Sequence, residues 1–249
     1  MNFSKRTRKE VRGAIIGMVM GDASLYQGTY RDGSRKGNYL LNMSHSYRQR
    51  QYLEHKRDII NDLFDYRLIV RDTIAKAQGK TYPASRLLTR VHPRLSFIAK
   101  RIYIDRKKRI TQWALDNITD EGLALWWLDD GCLHLNKPPQ KGGDMIWGTY
   151  GFPKEDVELM RSWLTDKYGI NLHILKHKRS GGYYLKRGLS EALKFSEIVR
   201  PYTPDSMRYK IAERSMFVQG PYSLSNNLQN SARPPLRGDD MVHACGNAG

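Results

Sequence analysis

The stretch Gly13-Ala14-Ile15-Ile16-Gly17-Met18-Val19-Met20-Gly21 is apolar without a break and lacks the alternation of a half-buried strand, so it predicts a buried helix. Its glycines at 13, 17 and 21 fall on one face, where each costs about 1 kcal/mol in helix propensity relative to alanine. Something must therefore approach that face closely. After Asp22 the pattern becomes a hairpin, Ser24 to Tyr30 and Asn38 to Ser46, joined by the charged turn Arg31 to Gly37. A helix from about Arg48 to Phe64 follows. Two strands come next, Arg67 to Ala77 and Tyr82 to His92, split by Gln78-Gly79-Lys80, and a further helix starts near Pro93. The order is αββαββα.

The second half repeats that order with little identity. Glu121 to Asp130 reads as an apolar helix, followed by strands near Cys132 to Asn136 and Met145 to Gly151. A helix beginning near Pro153, strands near Ile170 to Lys178 and Tyr183 to Arg187, and a helix from Ser190 to about Val199 complete it. The fold class expected is α+β: two pseudo-symmetric αββαββα halves, residues 1–110 and 111–220, with their antiparallel sheets forming a saddle. Residues 221–249, rich in Asn, Ser, Pro and Gly without periodicity, predict an extended or disordered tail.

Charge adds a partner to this outline. The 249 residues carry 42 Lys and Arg against 25 Asp and Glu, a net charge of +17. A field of that size points to a polyanion, and nucleic acid comes first. No stretch approaches the roughly 20 apolar residues of a spanning helix, and no signal-peptide pattern opens the chain, so the expectation is a soluble intracellular protein without a membrane partner. Cys132 and Cys245 make neither a CxxC pair nor a disulfide framework, which fits a reducing compartment.

Each apolar helix ends in a carboxylate, Asp22 in the first and Asp129-Asp130 in the second, the wrong charge for a helix C-terminus. A bound cation would compensate. If the helices pack through the Gly13/Gly17/Gly21 face, Asp22 and Asp130 converge, and two close carboxylates repel unless metal or protons intervene. Hard oxygen ligands suit Mg²⁺, with Mn²⁺ able to substitute, and the candidate metal-binding set is Asp22 and Asp130 with the adjoining Gly21 and Asp129. Such a site can activate water and stabilise the leaving oxygen of a phosphodiester.

The strands offer a surface for double-stranded DNA. Alternation sets Arg67, Ile69, Arg71 and Thr73 on one side of their strand, and Arg86, Leu88 and Arg90 on one side of the next. Basic and polar sheet faces can read a major groove. In the second half His134, Asn136, Lys176 and Lys186 are candidates, with Lys137 and Lys141 in the hairpin turn. Arg31, Arg35, Lys36 and Asn38 extend the set at the first hairpin. His173 and His177 have zinc-like spacing only on a helix, and their segment reads as a strand.

Ile15-Ile16-Gly17-Met18-Val19-Met20-Gly21-Asp22-Ala23 and Leu123-Ala124-Leu125-Trp126-Trp127-Leu128-Asp129-Asp130-Gly131 resemble the paired motifs of LAGLIDADG homing endonucleases, single-chain intron-encoded type. The resemblance covers about Val11 to Ala212. It implies metal-binding roles for Asp22 and Asp130, the last acid of each motif. Arg106-Lys107-Lys108-Arg109-Ile110 resembles the segment that supplies a basic active-site residue, implying that role for Lys108. Pro201-Tyr202 with Met207-Arg208-Tyr209-Lys210-Ile211 is similar to its counterpart, implying the same for Lys210. Leu125 stands where the motif has glycine, and Ala23 replaces the final glycine of the first copy. The small face of the first helix is therefore expected to receive larger side chains of the second. The function implied is metal-dependent double-strand cleavage of a long asymmetric DNA site by a monomer, leaving 3′ overhangs. The rivals are an RNA maturase acting on intron RNA and a DNA-binding regulator without catalysis.

Overall fold

The computed structural model of the chain describes residues 6–29, 34–61, 63–64, 66–77, 79–136 and 142–213. Helix α1, Arg8–Met20, starts at a capping box: the Thr7 side chain accepts from the Glu10 N–H, and the Glu10 carboxylate accepts from the Thr7 N–H at 2.7 Å. From Gly13 to Met20 every residue of α1 is buried, as expected for a helix apolar on all sides. Strands β1 (Ser24–Thr29) and β2 (Arg35–Ser46) follow, then α2 (Arg50–Asn61), β3 (Val70–Ala77), β4 (Lys80–Leu88) and α3 (Pro93–Ile102). The four strands form an antiparallel sheet in the order β1-β2-β4-β3. Leu41 and Met43 of β2, Leu87 of β4 and Ile59 and Ile60 of α2 lie in its core.

A hairpin of β5 (Tyr103–Ile104) and β6 (Lys107–Lys108), the short helix α4 (Gln112–Asn117) and α5 (Asp120–Asp130) come next. The hairpin escapes sequence reading because two-residue strands show no alternation. Its turn residues Asp105 and Arg106 both have positive φ, 50° and 64°, without a glycine to announce the turn.

The face of α1 marked by glycine is where α5 approaches. A Cβ at Gly13 would lie 2.7 Å from the Thr119 nitrogen, one at Gly17 would run into the Gly122 carbonyl, and one at Gly21 would meet the Asp129 side chain. Glycine thus meets glycine. The expectation of large side chains on the second helix is replaced by the Gly17–Gly122 contact, one turn earlier than the Leu125 position.

The second sheet repeats the first. Strands β7 (Gly131–Leu135), β8 (Gly143–Trp147), β9 (His173–Lys176) and β10 (Tyr183–Gly188) pair antiparallel in the order β7-β8-β10-β9. Helices α6 (Lys154–Tyr168) and α7 (Leu189–Val199) accompany them, and Trp147 and Phe195 meet edge-on at 5.3 Å between ring centres. The described residues divide into two compact units, one up to Asp129 with Tyr202–Arg208, the other from Asp130 to Pro201 with the segment from Tyr209.

Two strands begin later than the pattern predicts, because their backbone donors are used elsewhere. Leu68 N–H donates to the Asn61 side chain at 2.9 Å, so β3 begins at Val70 rather than Arg67. Ile170 N–H caps α6 through the Leu164 carbonyl and Asn171 N–H donates to Glu191, so β9 begins at His173. The tail 221–249, together with Arg31, Lys137, Lys141 and the side chains of Arg35 and Lys36, lies outside the described residues.

Candidate functional site

Asp22 emerges where α1 ends, one residue past the Gly21 cap, with its side chain 26% exposed. Two backbone bonds close this end: Gly21 N–H to the Gly17 carbonyl and Ala23 N–H to the Met18 carbonyl. The β5–β6 hairpin brings Lys108 to the same spot. Its Nζ donates to the carbonyls of Gly21 at 2.7 Å and Ala23 at 3.3 Å, on either side of Asp22. A cation at a helix C-terminus is favoured there, and this one stands beside an acid that the helix itself disfavours.

Behind Asp22 lies a buried ionic cluster that the sequence did not announce. The Asp129 and Lys56 side chains are both fully buried, with Lys56 Nζ 2.6 and 2.8 Å from the two Asp129 oxygens. The Tyr52 hydroxyl stands 3.0 Å from Asp129 Oδ1, the Asp22 N–H donates to Asp129 Oδ2 at 3.1 Å, and Lys56 also lies over the Tyr52 ring. Burial pushes the Asp129 carboxyl up, but Lys56, His45 and the Asp22 amide together hold it below the usual carboxylate range. This carboxylate therefore stabilises the fold above about pH 4, a contribution lost as acid takes the pH down through the depressed value.

His45 completes the cluster. Its Nε2 stands 3.0 Å from Lys56 Nζ, and Nδ1 is its other ring nitrogen. That Nδ1 faces Asp22 Oδ2 at 3.7 Å. Oxygen and nitrogen atoms of Asp22, His45 and Asp129 lie within 4.8 Å of one another, close enough to surround a cation. Lys56 already supplies one to Asp129, which leaves Asp22 as the partly exposed acid of the three. Both newcomers had a legible signal: Lys56 interrupts the apolar stripe Tyr52, Leu53, Ile59, Ile60 of α2, and His45 follows Leu41 and Met43 on the inward face of β2.

On the first sheet burial alternates from Arg67 to Arg71 and from Ser85 to Arg90, which leaves Arg71, Arg86 and Arg90 exposed, whereas Asp72, Thr73 and Ile74 of β3 are all exposed. Arg71 pairs directly with Arg86. Arg86 Nε donates to the Asn42 side chain at 2.6 Å, and the Arg90 guanidinium covers the Tyr66 ring at 4.6 Å. Asn38 is engaged instead with α3, its side-chain oxygen accepting from Ser96 at 3.0 Å.

In the second unit Asp130 closes α5, and its carbonyl accepts from Gly148 N–H at 3.0 Å. Lys210 is buried in the turn Asp205–Lys210. His134 pairs with Asp144, and Lys186 bridges to Asp144 at 2.9 Å, so these share one sheet face; Asn136 is exposed just past β7. Lys176 is out of phase with them, pairing with Tyr183, in phase with buried Leu185. An open cleft of about 790 Å³ nonetheless brings Lys176 together with Asp144 and Lys186, and with Lys154, Glu158 and Arg161 of α6. No described helix is long and apolar enough to cross a membrane.

Residues 12–195 match the LAGLIDADG DNA endonuclease family. Among curated proteins, the chain is 26% identical over 201 residues to a probable intron-encoded endonuclease 1 of Wickerhamomyces canadensis, covering 79% of this chain and 81% of the relative. It is also 26% identical over 210 residues to the RecA protein of Mycolicibacterium flavescens, where the match covers 80% of this chain. The chain spans under half, 46%, of that relative's length. Among solved structures, the homing endonuclease I-WcaI bound to its DNA recognition sequence aligns with a TM-score of 0.68 at 23% identity, over 82% of this chain and 86% of its own. That likeness establishes the fold.

Proposed function

This chain belongs to the LAGLIDADG DNA endonuclease family, and from that premise we propose that it is a homing endonuclease that hydrolyses both strands of a long, asymmetric DNA site. The observation that carries this reading is the duplicated motif helix: α1 and α5 each end in an acid, and each is followed by a four-stranded sheet of the same strand order. Asp22 offers a hard, partly exposed oxygen ligand at a negative helix end, which fits a divalent ion. Asp22 and Asp130 would hold Mg²⁺ or Mn²⁺, with the neighbouring Gly21 and Asp129 as the further members of the set. The ion supplies an activated water and neutralisation of the phosphate.

The chain's own residues do the rest. Lys108, anchored on the carbonyls around Asp22, presents positive charge where a phosphate gains negative charge, and Lys210 takes that role in the second half. The exposed arginines of the first sheet face one half-site, while His134, Asn136 and Lys186 face the other. Because one chain carries both halves, residues 1–110 and 111–220, the site it reads need not be palindromic.

Binding to DNA should be steeply salt-dependent. With about six to ten phosphate contacts, affinity falls on the order of a thousandfold or more between 50 and 200 mM salt. Fluorescence anisotropy on a selected duplex measures this, and sedimentation of the complex gives the stoichiometry. One chain per non-palindromic duplex is expected. A flat salt response, or two chains on a palindrome, would contradict the proposal.

A further inference from the structure

The outward face of the first sheet carries an apolar pair among its arginines. Ile69 is 60% exposed and Leu88 45% exposed, while their neighbours Leu68, Val70 and Leu87 are buried. Val70 pairs with Leu87, so the antiparallel register, continued by one residue, sets Ile69 beside Leu88. One rung along, Arg71 pairs with Arg86, and on the other side Arg67 and Arg90 are both exposed. The face therefore reads arginine pair, apolar pair, and then the exposed Arg67 and Arg90 just beyond the ends of the paired strands.

Single exposed apolar side chains are ordinary. Here two of them adjoin, flanked on the same face by Asn42, Ser44, Thr73 and arginines, with the exposed rings of Tyr26 and Tyr82 farther along it. Arg71 and Arg86, like charges directly opposite each other, destabilise the free sheet and call for an anionic or acceptor-rich partner. A partner matching this ladder must offer hydrogen-bond acceptors on either side of a small apolar group. The major groove of DNA does so where a thymine methyl lies near guanine N7 and O6.

We propose that Ile69 and Leu88 recognise thymine methyl groups in the half-site that the first sheet binds. The inference rests on the DNA-binding reading above and adds a base identity to it. Same-face residues along a strand are about 6.6 Å apart, against a rise of about 3.4 Å per base pair. A thymine read by the apolar pair therefore falls about two base pairs from a position read by arginine.

The test removes the methyl from the DNA and leaves pairing and charge unchanged. A target is selected from a randomised duplex library, and each thymine is then replaced singly by deoxyuridine while Kd is measured. Burying one methyl-sized group is worth about fourfold in affinity. The wild-type protein should lose about that much at one or two adjacent thymines in one half-site and nothing elsewhere. The double variant Ile69→Ser/Leu88→Ser should be insensitive at the same positions. Both side chains are exposed, so its urea midpoint should match the wild type and separate a loss of reading from a loss of fold. Site-specific binding with no deoxyuridine effect, or an equal effect in the double variant, would overturn the thymine assignment and leave DNA binding intact. No site-specific binding to any duplex would overturn both.

Discussion

Asp22→Asn will lower double-strand cleavage by at least about a thousandfold, and Asp130→Asn will do the same, while DNA affinity changes little. The substitution is nearly isosteric and removes one negative charge from a side chain that is 26% exposed, so packing is kept. What disappears is the ligand charge that would hold a divalent ion against the scissile phosphate. A single preorganised oxyanion-hole donor is worth about a hundred- to a thousandfold, and loss of the ion removes water activation as well. The backbone role of Asp22 survives, because its N–H still donates to Asp129. Single-turnover cleavage on the selected duplex, with anisotropy on the same DNA, separates the two effects. Wild-type rates in either variant would contradict the assignment.

Lys56→Met is expected to cost the fold about 3–5 kcal/mol, the range for breaking one side of a buried ion pair. Methionine fills similar space but leaves Asp129 buried with the Tyr52 hydroxyl and the Asp22 amide, and without its counter-charge. A typical domain holds about 5–15 kcal/mol in total, so this single change consumes much of it. Replacing both partners, Lys56→Met with Asp129→Asn, should recover a large share, because no isolated charge is left. Urea unfolding of the wild type, both single variants and the double gives the coupling directly. A Lys56→Met protein within about 1 kcal/mol of the wild type would show that the pair is not holding the end of α1 in place.

Hydrophobic pattern revealed the frame and hid the support behind the site. The apolar run of α1, its glycine spacing and the doubled αββαββα order were legible because each is a repeated signal over many residues. Arg71, Arg86 and Arg90 were legible because burial alternates over 67–71 and 85–90. Lys108 came from resemblance; nothing in local pattern shows that the Asp105–Arg106 turn folds it back onto Gly21 and Ala23. Lys56 was passed over because lysines are ordinarily surface residues, and only its place in the apolar stripe of α2 marks it. The second contact of Asp129 followed the same blind spot: adjacent acids read as one metal site, and nothing in local pattern shows that helical geometry also brings the Asp129 carboxylate to Lys56. Lys176 shows the limit of naming basic residues without tracking strand phase.

The most direct test is cleavage of a randomised duplex library by the purified chain in Mg²⁺, with Mn²⁺ and EDTA as parallel conditions, followed by sequencing of every cut end. The account predicts one family of non-palindromic sites, cut on both strands with 3′ overhangs in Mg²⁺ or Mn²⁺ and left whole in EDTA. Intact DNA in both metals, from a protein that is folded and binds duplex, would contradict it.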